Sequence, residues 1–360
     1  MDETATERFA YDVHTVRVVF GVGVLAELPR ELERMGISRA LLLTTPGRTD
    51  AAGTMKALLA DRLAGVFDRA RVHVPADVVR EALPTLSGVG ADCLLALGGG
   101  SAIGLGKALA LETGAPLVAI PTTYSGSEMT AIWGTTEGGT KRTGRDPRVA
   151  PRTVVYDPAL TVGLPAATSA ASGMNAMAHA VEALYAVDGN PVTRLLATDG
   201  IRLLATSLPV VVKRPGDLAA RGRALRGAHL AGWALELSSM GLHHRLCHVL
   251  GGSFGLPHAE THAALLPYVA AFNSAAAPEA LRAVAHGLHA DEAWTGLYAL
   301  NRTLGLALSL KGLGLAAADL DRAADGALEQ AYPNPRPLSF AGVRAVLQAA
   351  WEGRPPSLFG

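Results

Sequence analysis

The sequence predicts an α/β domain with a doubly wound, mostly parallel sheet, followed by an all-helical domain. Three observations predict it. Short apolar runs alternate with amphipathic helical stretches from Thr15 to Thr123, the pattern of a parallel sheet with helices on both faces. Several runs, among them Ala40–Thr45 (ALLLTT) and Cys93–Leu97 (CLLAL), are continuously apolar, as strands buried on both faces must be. Beyond about Leu164, strand signals nearly vanish and helical patterns follow one another to the end. The boundary is therefore set between 163 and 164. Residues 1–163 are expected to form the dinucleotide-type α/β domain, and residues 164–360 a helical domain that supplies substrate-binding and catalytic groups.

Taken in order, Thr15–Phe20 (TVRVVF) is β-branched and apolar and predicts a strand. Gly21 and Gly23 turn it into the amphipathic helix LAELPRELERMG, with Gly36 as its stop. After the strand at 40–45, TDAAGTMKALLADRLAG predicts a helix, VFDRARVHVP a strand and VVREALPTLSGVGA a helix. The buried strand Cys93–Leu97 meets a glycine turn, Gly98–Gly100, and a helix opening near Ser101. APLVAIPTT adds an apolar strand. The Gly-, Thr- and Arg-rich stretch that follows predicts a hairpin excursion and a last strand, Thr153–Tyr156. Ligands of open α/β sheets bind beyond the strand carboxyl ends, so the site is expected in the cleft facing the helical domain.

At 360 residues with 49% hydrophobic and 18% charged, the chain can bury a sizeable core. Lys+Arg and Asp+Glu are equal at 32 each, which leaves no footprint for nucleic acid or an anionic membrane. The two cysteines, Cys93 and Cys247, form no CxxC motif or disulfide framework. The opening MDETATERFAYDVHTVRVVF is acidic and lacks an apolar h-region, so no secretory signal and a cytoplasmic location are expected.

Gly98, Gly99, Gly100 and Ser101 follow a buried strand and open a helix. Glycines let backbone approach a pyrophosphate, and free N–H groups at a helix start can hold it. The strict G-x-G-x-x-G fingerprint is absent, and a plain tight turn is the alternative. Thr122, Thr123 and Ser127 follow the next strand and offer hydroxyls at the same sheet edge; a Ser/Thr-capped loop would read the same way. Lys141, with Arg142 and Arg145, lies in the excursion, where it would neutralise a cofactor phosphate or a substrate carboxylate, or be solvated.

Ser238–His262 holds His243, His244, His248, His258 and His262. His244 and His248 are four apart, as are His258 and His262, so each pair shares a helix face. Gly251, Gly252 and Gly255 are expected to end the first helix and Pro257 to open the second. Two such helices would aim imidazoles into one cleft; unrelated histidines are the alternative. Asn175 and His179 are also four apart in a helical segment. A divalent site on His179, His244 and His258 would gain from a carboxylate at 175, and an amide is a poorer ligand. The cage has one weakened corner.

LGGGSAIGLGKALA (97–110), PTTYSGSEMT (121–130), SGMNAMAHAVEALY (172–185), GLHHRLCH (241–248) and PHAETHAALLP (257–267) together resemble the iron-containing alcohol dehydrogenase superfamily. Within it the chain is most similar to the maleylacetate reductases, over essentially its whole length. The resemblance implies the dehydroquinate synthase-like fold of that superfamily and a homodimer acting on a small oxo-dicarboxylate. The implied reaction is NAD(P)H-dependent reduction of the conjugated C=C of maleylacetate to 3-oxoadipate, in the breakdown of aromatic compounds. Metal-dependent relatives have an aspartate at the position of Asn175, with their other ligands at His179, His244 and His258. Asn175 here implies vestigial metal positions and no bound metal. The implied catalytic residues are His243, His244 and His248; Asn175, His179, Arg245 and His258 would bind substrate. Thr45, Gly98, Gly99, Gly100, Ser101, Thr122, Thr123, Ser127 and Lys141 would bind cofactor. Thr45 stands where relatives often carry a ribose-reading aspartate, which implies NADPH acceptance beside NADH. The alternatives are a metal-dependent alcohol dehydrogenase, a reductase of a related conjugated oxoacid, an NAD-using lyase of the dehydroquinate synthase kind, and a non-catalytic nucleotide-binding protein.

Overall fold

The computed structural model describes residues 9–138, 140–306 and 309–359; the acidic opening at 1–8 lies outside them. The first part runs β1 (Arg17–Phe20), α1 (Leu28–Arg34), β2 (Ala40–Leu43), α2 (Thr49–Leu59), β3 (Leu63–Phe67), α3 (Ala76–Gly88), β4 (Cys93–Gly98), α4 (Gly100–Thr113), β5 (Leu117–Pro121), β6 (Ile132–Glu137), β7 (Thr140–Arg145) and β8 (Thr153–Tyr156). Six strands form a parallel sheet in the order β1-β8-β5-β4-β2-β3. β6 and β7 form a separate antiparallel hairpin. Every residue of β2, β4, β5 and β8 is buried, which is why those segments read as unbroken apolar runs.

The second part is helical: α5 (Ala166–Leu184), α6 (Pro191–Lys213), α7 (Leu218–Glu236), α8 (Leu242–Phe254), α9 (His258–Asn273), α10 (Pro278–Leu288), α11 (Ala293–Thr303), α12 (Leu320–Leu328) and α13 (Phe340–Glu352). α5 is its centre, buried at every position from Ser169 to Leu184. α6 is long and apolar enough to cross a membrane by length and composition, but here it packs against α5 and α7.

Two elements depart from the sequence expectation. The strand expected over VFDRARVHVP is β3, Leu63–Phe67. The helix before it ends at Leu59, where Ala60 takes φ +48. Gly65 then enters the sheet opposite Leu41, where a Cβ would lie 3.1 Å from Val89. His73 and Val74, at φ +64 and +48, leave the extended region altogether. The second departure is that Gly251 and Gly252 do not end the histidine helix. α8 continues to Phe254 and stops at Gly255, whose φ is +69.

Two contacts join the parts at the sheet's carboxyl edge. The loop after β5 touches α7 backbone to backbone: a Cβ on Gly232 would fall 2.1 Å from the Gly126 carbonyl oxygen. Arg221 of α7, fully buried, donates to the Tyr124 hydroxyl at 3.0 Å, to Ser169 Oγ at 2.9 Å and to the Leu164 carbonyl at 3.2 Å. A buried guanidinium with several acceptors is costly to disturb, so the segment between the parts is firmly held.

Candidate active site

Asn175, His179 and Glu182 lie at i, i+4 and i+7 on α5, one polar stripe in the helix's apolar second half. Buried polar groups must find partners, and Glu182 finds three at the start of α8. Its carboxylate accepts from the Gly241 N–H at 3.2 Å, from the His243 N–H at 2.9 Å and pairs with His244 Nδ1 at 2.5 Å. A carboxylate at a helix N-terminus satisfies amides that have no partner within the helix. Burial pushes the Glu182 carboxyl up, but His244 and the amide donors outweigh it and hold it below its ordinary value. Sequence reasoning missed Glu182, although its spacing from Asn175 and His179 was the signal available.

α8 and α9 bring the other imidazoles to the same place. His244 stacks on His179 with ring centroids 5.1 Å apart, and His262 lies 4.9 Å from His244 and 4.5 Å from His258. His248 is 6.3 Å from His244 and 6.4 Å from His258. His243 turns inward, fully buried, and its Nε2 meets His262 Nδ1 at 2.9 Å and Cys247 Sγ at 3.7 Å. The helix phase therefore separates the two neighbours: His244 joins His179 and Glu182, and His243 backs onto His262. The latter had drawn attention as half of a spaced pair, without a role.

Burial lowers the basicity of His179, His248, His258 and His262 well below the ordinary value and brings His243 to about 3. These rings are neutral at physiological pH. Lys141 on β7 stands at the rim, its Cβ 3.7 Å from where a Cβ on Gly252 would lie, and its charge is felt at His248 and His258. Burial also lowers its own pKa.

Five buried atoms in the cluster lack a hydrogen-bond partner: Asn175 Oδ1, His179 Nδ1, His243 Nδ1, His244 Nε2 and His262 Nε2. They mark where a ligand would be received. They do not make a good divalent-metal cage. Residue 175 offers a neutral amide, and the cluster's carboxylate, Glu182, is engaged by His244 and two amides. Among the described residues, the His, Cys, Asp or Glu ligand atoms found within 4.8 Å of one another belong to His243, Cys247 and His262. His179, His244 and His258 are not gathered so closely.

The other wall of the cleft is backbone. α4 opens at Gly100 without a side-chain cap, and a Cβ on Gly100 would meet nothing within 4 Å. Gly98, at φ +155, makes the turn. Thr122 N donates to the Gly98 carbonyl at 3.0 Å, and Thr123 closes on Gly99, where a Cβ would come 2.8 Å from Thr123 Cγ2. Ser101 and Ser127 are half-buried beside them, and Thr45 follows the carboxyl end of β2. This open, glycine-lined turn fits a pyrophosphate.

The structure does not bring two expected residues into the site. Arg245, about 100° round the helix from His244, donates to the Gly326 carbonyl at 2.6 Å and lies 3.8 Å from Glu329; a substrate-binding role is corrected accordingly. Arg145 pairs with Glu236 at 2.7 Å and with that residue's carbonyl at 3.0 Å, so both guanidiniums are engaged by protein acceptors, while Arg245 Nε has no partner.

The model of the iron-containing alcohol dehydrogenase matches residues 15–158, and that of the C-terminal part of the same family matches 169–351. The chain belongs to the iron-containing alcohol dehydrogenase family. It is therefore an oxidoreductase. It is 50% identical over 349 residues to a maleylacetate reductase of Burkholderia cepacia, covering 97% of this chain and 99% of that one. It is 48% identical over 348 residues to that of Pseudomonas sp. strain P51, with the same coverage. The crystal structure of maleylacetate reductase from Rhizobium sp. strain MTP-10005 superposes with a TM-score of 0.93 at 47% identity, covering 98% of this chain and 100% of that one. A 1,3-propanediol oxidoreductase also superposes, with a TM-score of 0.90 at 29% identity over 96% of this chain and 100% of that one.

Proposed function

We propose that the protein reduces the conjugated C=C of maleylacetate to 3-oxoadipate with NADH, without a metal. One observation carries the reading: six histidines converge around a single carboxylate, and that carboxylate is already paired. A cleft in which the His179, His243, His248, His258 and His262 rings are neutral, with Lys141 at its rim, suits a dianion, and free negative charge would repel one. The maleylacetate reductases at 46–50% identity support the same choice. Gly98, Gly99, Gly100 and Ser101 would hold the pyrophosphate of NADH, whose dihydronicotinamide would supply a hydride to the alkene carbon β to the ketone.

The chain's own residues handle the charge that follows. Negative charge develops on the ketone oxygen as an enolate, a preorganised donor stabilises it, and a proton drawn from solvent onto the carbon α to the ketone completes the reduction. Because Glu182 holds a proton on His244 Nδ1, the neutral ring would offer only a lone pair at Nε2. For the unpartnered Nε2 to donate to the oxygen, the ring must carry both protons, and Glu182 stands as the counter-ion for that form. This is how a carboxylate behind a histidine works in hydrolases. Asn175 and His179 supply further polar contacts, and His248 and His258 shape the side nearer Lys141. Thr45 in place of a carboxylate leaves nothing to repel a 2′-phosphate, so NADPH is accepted beside NADH. Loss of NADH absorbance with freshly made maleylacetate, compared with simple aldehydes, tests the reading: reaction with aldehydes alone would refute it.

A further inference from the structure

Lys107 is a charged side chain that no step above uses. It sits on α4, in the third turn after the glycine turn, and is 2% exposed. Its Nζ has four oxygen neighbours: the carbonyls of Ser127 at 2.6 Å, Thr130 at 2.7 Å and Ile132 at 2.8 Å, and Thr130 Oγ1 at 2.9 Å. Thr130 Oγ1 gives its own proton to the Ser127 carbonyl at 3.0 Å and accepts from the Ile132 N–H at 3.3 Å, so one lone pair is left for the amine. A neutral amine would bring two N–H groups and a lone pair to four acceptors; an ammonium brings three donors and no acceptor. Burial pushes Lys107 down to about 7, while Glu128 and Glu236 pull it up and Arg145 pushes it further down.

The Ile132 carbonyl comes from the first residue of β6, and the Ser127 and Thr130 carbonyls from the backbone between β5 and β6. The same segment carries Thr122, hydrogen-bonded to Gly98, and Thr123, pressed against Gly99. One ammonium thus ties the helix that opens at the glycine turn to the loop that forms the turn's opposite wall.

We propose that Lys107 is a positioning residue, a built-in monovalent cation that holds the 122–130 loop against the Gly98–Ser101 turn and so sets the cofactor cleft. The inference rests on reading that turn as the NADH site. Truncation to alanine removes a group equivalent to n-propylammonium and leaves its oxygen cage behind. Lys107→Ala is expected to weaken NADH binding about tenfold, the scale of losing charge-assisted hydrogen bonds, with kcat at saturating NADH within about twofold of wild type. n-Propylammonium should restore the affinity. Tetramethylammonium, equally charged but without an N–H, should not.

Fluorescence titration with NADH, alongside steady-state kinetics, reads all of this. Wild-type NADH affinity in Lys107→Ala, or a defect that propylammonium fails to repair, would overturn the proposal, as would repair by both amines alike. If the alanine variant does not fold, Thr130→Val decides instead. It removes one acceptor and should raise the NADH Kd about threefold, and an unchanged Kd refutes the role. Wild-type protein that binds no NADH would sink the cofactor reading itself, a distinct result.

Discussion

The two walls of the cleft are made from different materials. The sheet-side wall is backbone: a glycine turn, a helix start and a threonine loop closed over them. The helical wall is side chain: six imidazoles, an amide and a carboxylate from α5, α8 and α9. A backbone wall depends on the order of strand, turn and helix and tolerates little added bulk. A side-chain wall depends on which partner each group selects. Perturbing the first should therefore change binding, and perturbing the second should change the chemical step.

The largest expected effect lies in the side-chain wall. His244→Ala should lower kcat by about 10²–10³, the usual cost of losing one oxyanion donor, while the NADH Kd stays near wild type. Glu182→Gln should do nearly as much, because the ring loses its counter-ion. The double variant should be little worse than either single one, since groups acting as a unit are not additive. Additive losses in steady-state kcat would mean that the pair does not work together.

Gly100→Val sharpens the other side. A Cβ there would meet nothing within 4 Å, so the fold should hold while NADH affinity drops by about tenfold, read by fluorescence titration. Gly99 is the less clean choice, because its side chain would strike Thr123 before reaching any ligand. A folded Gly100→Val protein with unchanged affinity would make the turn merely structural.

Asn175→Asp places a carboxylate four residues before His179 on the same helix, where His179 Nδ1 and His244 Nε2 are unpartnered. Zinc affinity by calorimetry should rise, by about tenfold at least, given the preference of divalent ions for anionic ligands. Equal affinities would mean that these side chains do not converge on one ion.

Arg245→Ala should do least. It removes one hydrogen bond to the Gly326 carbonyl, worth about 1–3 kcal/mol of stability for a charged donor, and should leave the KM for maleylacetate within about twofold of wild type. A large rise in KM would return Arg245 to the substrate.

The contrast also explains what the sequence made legible. The sheet was readable because burial on both faces leaves a continuous apolar run, and the glycine turn because its order in the chain is its structure. β3 was misplaced because Gly65 looks like a helix stop but enters the sheet as the residue small enough to pass Val89. The histidine faces followed from i,i+4 spacing. Spacing does not say which side chain a group will choose. Arg245 reads like a carboxylate ligand and instead caps a carbonyl on α12. Glu182 looks like one more helical glutamate, yet it orders the start of α8. Lys107 was equally hidden, since its cage is formed by carbonyls that a sequence does not display.

The account's central claim is that the Glu182–His244 pair, without a metal, supports reduction at this cleft. Its most direct test is the rate of maleylacetate reduction by protein treated with chelator, with iron and zinc content measured on the same sample. The account predicts an undiminished rate at far below one metal ion per chain. A rate abolished by the chelator and restored by stoichiometric iron or zinc would contradict it.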